Sequence, residues 1–230
     1  MNGFIAYPTS KLVTAPKLVI FDCDGVLVDS ELLANQVFLE KLRAFGLNLT
    51  IADLFERFVG RTMSDCLSQV EQMRGRPVPE GFLRDLDQAT FHAFEAALKP
   101  VAGIEFVLNT LDAAGIQYCV ASSGSHSKMN KTLGLTGLLS RLEGRIYSAS
   151  DVARSKPFPD IYLHAAQKMS VGIEHCIVIE DSPTGAQAGI AAGMKVFGYA
   201  ALNSEQKLRE AGAETFKDMH QLPGLLGLLN

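Results

Sequence analysis

Short apolar runs, each closed by turn residues, punctuate the chain: "KLVIFD" (17–22), "IQYCVASS" (116–123), "GRIYSAS" (144–150), "HCIVIED" (175–181) and "MKVFGYA" (194–200). They are too short and too rich in β-forming residues for buried helices, and so predict strands. Helical spacing takes over between them. "VAGIEFVLNTLDAAG" ends on Gly115, a natural C-cap, and "PDIYLHAAQKMS" opens with Pro-Asp. "SPTGAQAGIAAG" has Pro183 in its first turn and Gly193 after its last. Strand alternating with helix predicts an α/β fold, a doubly wound parallel sheet with helices on both faces. Right-handed crossovers then gather the strand C-termini at one edge, where open α/β sheets carry their sites.

One region breaks this rhythm. From about Leu32 to Lys99 the strand signal stops, and four amphipathic helical patterns replace it: "ELLANQVFLEKLRAFG", "TIADLFERFVG", "MSDCLSQVEQMRG" and "EGFLRDLDQATFHAFEAALK". The pattern predicts a helical subdomain (31–100) inserted just after the first strand, with Pro100 and Gly103 marking the return. Residues 17–30 and 101–230 then form the α/β core, and 1–16 an N-terminal tail.

Composition narrows the function. The chain has 230 residues, 47% of them hydrophobic, which is ample for a buried core. Its formal net charge is −4 and no Lys/Arg run stands out, which argues against a nucleic-acid partner. No apolar stretch approaches the roughly 18 residues of a membrane span, and the first sixteen residues lack the apolar region of a signal peptide. A cytoplasmic protein is expected. Cys23, Cys66, Cys119 and Cys176 lie far apart with no CxxC pair, which predicts buried, reduced thiols and no zinc site.

The candidate chemistry sits where strands end. "VIFDCDGVLVDSE" (19–31) runs from a strand into Asp22, Asp24 and Asp29, with Gly25 permitting a tight turn. Clustered carboxylates repel one another unless something positive stands among them. Mg²⁺, which takes oxygen ligands and often works with few carboxylates plus a substrate phosphate, is the simplest answer. Glu180 and Asp181 close a second strand. In a doubly wound sheet the two ends can be neighbours. Ser122 and Ser123 close a third run, and Lys156 opens "KPFPDIY". A hydroxyl, adjacent backbone amides and a lysine suit a phosphate. Each feature also has a plainer reading. Acids at a helix N-terminus answer the helix dipole, Asp29 and Ser30 also read simply as caps of the first inserted helix, and Cys23 alternates away from its aspartate neighbours as a buried thiol.

Taken in order, "DCDGVLVDS", Ser122 after a strand, Lys156 in "KPFPDIY" and "IEDSPTGAQAG" resemble the four signatures of the haloacid dehalogenase (HAD) superfamily, in its Mg²⁺-dependent phosphatase branch. The resemblance spans about Lys17 to Gly198, and the insertion looks like that family's C1-type cap. It implies a Rossmann-like core and an aspartyl-phosphate mechanism. Asp22 is then the nucleophile and Asp24 the general acid and base. Ser122 binds a phosphoryl oxygen, and Lys156 neutralises charge. Asp22, the Asp24 backbone carbonyl and Asp181 are the implied Mg²⁺ ligands, with Glu180 either a ligand or a partner of the ligands.

Substrate choice is expected in the cap and at the pocket mouth. Glu31, Arg61, Ser123 and Lys128 are the candidates, while His126 is read as exposed. Within the family the chain looks like the phosphatases of small sugar phosphates, and resembles the 6-phosphogluconate phosphatases. Members of that group carry Asn and Pro where Ser123 and Ser125 stand here. A small phosphorylated metabolite is therefore the expected partner, for a monomer or weak homodimer. One alternative is a β-phosphoglucomutase-type isomerase. It is disfavoured because Ala34 and Met63 stand where that group has a histidine and an arginine, although Arg61 lies nearby. Others are a metal-free haloacid dehalogenase, which has no need of Asp24 or an acidic cluster, and a catalytically silent binding module.

Overall fold

The first apolar run forms strand β1 (Leu18–Phe21), buried at every position. The computed structural model describes residues 15–58 and 63–229. Helices α1 (Ser30–Ala44), α2 (Ile51–Arg57), α3 (Met63–Arg74) and α4 (Phe82–Ala97) follow without an intervening strand. The alternating pattern then resumes with α5 (Ile104–Ala113), β2 (Gln117–Ser122), α6 (His126–Leu135), a single turn α7 (Leu139–Leu142) and β3 (Ile146–Ser148). It continues through α8 (Asp160–Lys168), β4 (Cys176–Glu180), α9 (Pro183–Ala191), β5 (Lys195–Tyr199), α10 (Glu205–Glu210), β6 (Glu214–Phe216) and α11 (Leu222–Leu225). The six strands make one parallel sheet in the order β3-β2-β1-β4-β5-β6.

Strand side chains alternate between two apolar clusters. Val19 and Phe21 join one cluster with α5, α6, α7 and α11, while Leu18 and Ile20 join another with α8, α9 and α10. Burial on both faces is what an all-parallel sheet requires, and it explains why these strands read as continuous apolar runs. Helices α1–α4 build a third cluster of their own, from Val37, Phe38, Leu42, Leu54, Val70 and Leu86 among others. The end of α4 leaves that cluster, and Phe94 and Leu98 pack into the first one.

Chain enters and leaves this helical layer along two adjacent segments. The Asp29 amide donates to the Lys99 carbonyl (2.9 Å) and the Val101 amide to the Leu27 carbonyl (3.0 Å), with Val28 and Pro100 bridged antiparallel. All four cysteines are buried, as their apolar settings predict. Among the described residues, no helix is long and apolar enough to cross a membrane.

Candidate active site

The sheet reverses its winding at β1, which has β2 on one side and β4 on the other. Ligands of doubly wound folds bind at such switch points, beyond the carboxyl ends of the strands. Phe21 pairs with Val120 on one neighbour and Ile179 on the other, and the Asp22 amide donates to the Ile179 carbonyl (2.9 Å). Asp22 therefore stands level with the end of β4, and Glu180 and Asp181 become its neighbours.

Lys156, in the loop between β3 and α8, closes this corner. Its Nζ donates to Asp22 Oδ1 (2.6 Å), Glu180 Oε1 (2.7 Å) and the Ala121 carbonyl (3.1 Å), which uses all three ammonium hydrogens. Its side chain is only 5% exposed. Burial alone draws an ammonium down, but Asp22 and Glu180 outweigh it and hold Lys156 well above the ordinary lysine value. Glu180 is buried yet held below the usual carboxylate range, because Lys156 and the Ser182 donors overcome the burial. Glu180 Oε1 also accepts from Tyr162 Oη (3.0 Å), and Oε2 from the Ser182 amide and hydroxyl (both 2.9 Å). Gly185 makes room for it, since a Cβ there would lie 1.6 Å from Glu180 Oε1.

Asp22, Glu180 and Asp181 each place a carboxylate oxygen within 4.8 Å of the others. Burial pushes Asp22 up to about 7, with Lys156 opposing and Glu180 adding to it. Asp181 is raised well above the usual range by burial, then by Glu31, Glu180 and Asp22. Its Oδ2 accepts from Asn203 Nδ2 (3.2 Å), a neutral donor that also reaches Glu31 Oε2 (3.4 Å). Burial and Asp24 raise Glu31 as well. Gly25, at φ +73°, has no room for a side chain, since its Cβ would lie 2.1 Å from Asp181 Oδ2. Three buried carboxylates thus face one buried ammonium. The donors are all oxygen and the charge is in deficit on the positive side, which fits a hard divalent cation. Glu180 already accepts from four donor atoms, so Asp22 and Asp181 are the carboxylates open to an ion.

Asp24 occupies a separate corner and is not part of that acidic cluster. Ser30 Oγ donates to its Oδ1 and Lys128 Nζ to its Oδ2, both at 2.7 Å. Of the two readings left open for Ser30, the structure shows more than a helix cap. Asp29 is the N-cap, without a side-chain capping bond, and the Ser30 hydroxyl goes to the stronger acceptor, a carboxylate. His126 is half-exposed but engaged, its Nε2 lying 2.9 Å from both Asp151 oxygens.

The remaining predicted residues fall as follows. Ser122 is buried, and its Oγ accepts from the Gly124 amide (3.1 Å). Ser123 is exposed. Arg61 lies outside the described residues. Cys23 is buried in the first apolar cluster, and burial raises its thiol well above the ordinary value. Sequence reasoning missed Tyr162, Ser182 and Asn203. One of them carried a signal: Tyr162 closes the "KPFPDIY" stretch.

Comparison with known proteins agrees with this geometry. The sequence model of the family described as haloacid dehalogenase-like hydrolase matches residues 19–199. The chain is 32% identical over 208 residues to a 6-phosphogluconate phosphatase of Escherichia coli (strain K12), covering 90% of this chain and 93% of that protein. It is 28% identical over 198 residues to a phosphorylated carbohydrates phosphatase of Thermotoga maritima, covering 85% and 91%. A HAD family hydrolase from Deinococcus radiodurans R1, solved with bound phosphate and sodium, superposes with a TM-score of 0.84 at 32% identity, covering 94% of this chain and 99% of that one. The switch-point carboxylates, the lysine that ties them and these likenesses place the chain in the haloacid dehalogenase-like hydrolase family, among its phosphatases, which act on phosphoric monoesters.

Proposed function

We propose that this chain hydrolyses the phosphate ester of a small sugar-like metabolite, such as 6-phosphogluconate, with Asp22 as nucleophile and Mg²⁺ as cofactor. The observation that carries the reading is the contact of Lys156 with Asp22 (2.6 Å) at the carboxyl edge of the sheet. An anionic nucleophile repels a phosphoryl group, and a lysine fixed beside it offsets that repulsion. An Asp22 oxygen attacks phosphorus, the ester P–O bond breaks, and the departing alkoxide takes a proton from the Asp24 carboxyl. Water then attacks the aspartyl phosphate and gives its proton to Asp24. The P–O bond to Asp22 breaks, and inorganic phosphate leaves. Ser122 binds a phosphoryl oxygen throughout. Asp22, Asp181 and the Asp24 main-chain carbonyl hold the cofactor, and Glu180 holds Lys156 in place. Bound there, Mg²⁺ supplies positive charge to the phosphoryl oxygens.

Residues 31–100 act as a cap that shields the reaction from bulk water. The substrate class rests on the names of the Escherichia coli and Thermotoga relatives. The test is phosphate release across a panel of sugar phosphates, 6-phosphogluconate among them, with Mg²⁺ or with EDTA. Turnover of at least one sugar phosphate is expected with Mg²⁺ and not with EDTA. Asp22→Asn is expected to fall to background while keeping its circular dichroism spectrum. Activity surviving EDTA, conversion of glucose 1-phosphate to glucose 6-phosphate without free phosphate, or an active Asp22→Asn variant would overturn the proposal.

A further inference from the structure

Lys128 is the only side chain besides Ser30 that the structure brings within hydrogen-bond reach of the Asp24 carboxylate among the described residues. It reaches Asp24 from a different element. Its backbone lies in the first turn of α6, where its amide donates to Ser125 Oγ (3.3 Å). His126, two residues earlier, pins that turn further, through Asp151. The Lys128 stem crosses the phosphate-side loop, since a Cβ on Gly124 would lie 3.6 Å from Lys128 Cδ and 3.5 Å from Ser122 Oγ. A fixed turn thus presents a cation to one Asp24 oxygen while α1 presents a hydroxyl to the other.

We infer that Lys128 is a positioning residue for Asp24, setting where that carboxyl stands relative to the leaving oxygen and so how well the enzyme expels poor leaving groups. The inference rests on the roles of Asp22 and Asp24 proposed above. A sugar alkoxide needs a proton as it departs. A p-nitrophenolate is a stable anion and needs little help. A residue that acts through the general acid therefore affects the two esters unequally, whereas a residue that only grips phosphate affects them alike.

The experiment compares kcat/KM, which reports the steps up to phosphoryl transfer to Asp22, for p-nitrophenyl phosphate and for the sugar phosphate turned over fastest in the panel. General acid–base groups contribute about 10²–10⁴-fold, so Lys128→Met is expected to lose about 30-fold with the sugar phosphate and no more than about threefold with p-nitrophenyl phosphate. Lys128→Arg, which keeps a charged donor, is expected to recover most of the lost discrimination. Equal falls with both esters would make Lys128 a phosphate contact and overturn the inference. No fall with either would reduce the pair to an inert surface contact and overturn it too. Lys128 is 36% exposed in its side chain, so its replacement opens no core cavity, and thermal unfolding checks that the variant is folded. Asp22→Asn separates the two levels. If it stays active, the mechanism itself is wrong and the inference falls with it. If it is silent and the Lys128→Met losses are equal, only the inference falls.

Discussion

The site contains two lysine–aspartate corners, and they are built differently. Lys156 is 5% exposed, spends all three hydrogens on acceptors at the carboxyl ends of β1, β2 and β4, and leaves its partner Glu180 fully engaged by Tyr162 and Ser182. Lys128 is 36% exposed and holds a single carboxylate oxygen, whose other half is held from α1. The buried corner has no freedom to rearrange without stranding a charge, and breaking such a pair costs far more than forming it gains. The partly exposed corner can exchange partners with water at less cost than the buried one, since exposure to solvent weakens an ion pair. The difference matches the two duties proposed above for Asp22 and Asp24. A nucleophile must be aimed at phosphorus and kept there, whereas a proton carrier must meet a leaving alkoxide in one step and a water in the next.

The strongest way to break this contrast is Lys156→Met. It strands Asp22 and Glu180 in the interior, and unfolding by urea should show a loss of about 3–5 kcal/mol, with phosphate release at background. A variant of unchanged stability would mean that the corner is not the rigid element described. Gly185→Ala attacks the same corner from outside. The new methyl would sit 1.6 Å from Glu180 Oε1, so Glu180 has to move. Overpacking of this kind costs about 1–3 kcal/mol, and activity should fall with stability; full activity would show that Glu180 need not stay where it is. Lys128→Met should come lower in stability, its signature being the leaving-group split rather than a large shift in unfolding.

The smallest effect expected lies at Asp151, which anchors the turn that carries Lys128. Burial favours its neutral form, but the Ser148 amide and His126 outweigh that and hold Asp151 below the ordinary aspartate value. A depressed folded value means that the stabilisation is present above the unfolded value, about 3.9, and is lost as pH falls through the folded one. Wild type should therefore exceed Asp151→Asn in stability near neutral pH by a modest margin. The gap should close as pH drops below about 4. A gap that is constant with pH would show that Asp151 acts by shape alone.

Much of this could be read from the residues, and the exceptions share a cause. Five strands announced themselves because two-sided burial makes them continuous apolar runs. β6, with only Phe216 of its three residues buried, has no such run and takes its identity from pairing with β5. α6 is mostly polar and buries only Met129, Thr132 and Leu133, too few to mark a helical face. At the site, Asp22, Glu180, Asp181 and Lys156 were legible as charges clustered at strand ends. Asn203 was not, because its partner Glu31 lies 172 positions away and no local spacing encodes that contact. Ser30 was visible but its role stayed open, since propensity gives serine a cap and only tertiary structure supplies a carboxylate to compete for it.

The paired crossings between the sheet and the four helices have a mechanical consequence. Leu27–Asp29 and Lys99–Val101 are stitched to each other, so α1–α4 are carried by a narrow two-stranded ribbon rather than by two independent tethers. A ribbon bends readily across its thin dimension and resists sliding along its length, because sliding would tear the stitches. Bending across the thin dimension is the motion these stitches leave open, and Phe94 and Leu98, packed in the sheet's cluster, oppose it. Ser30 lies one residue past that ribbon, so any such bend is delivered first to the hydroxyl that grips Asp24.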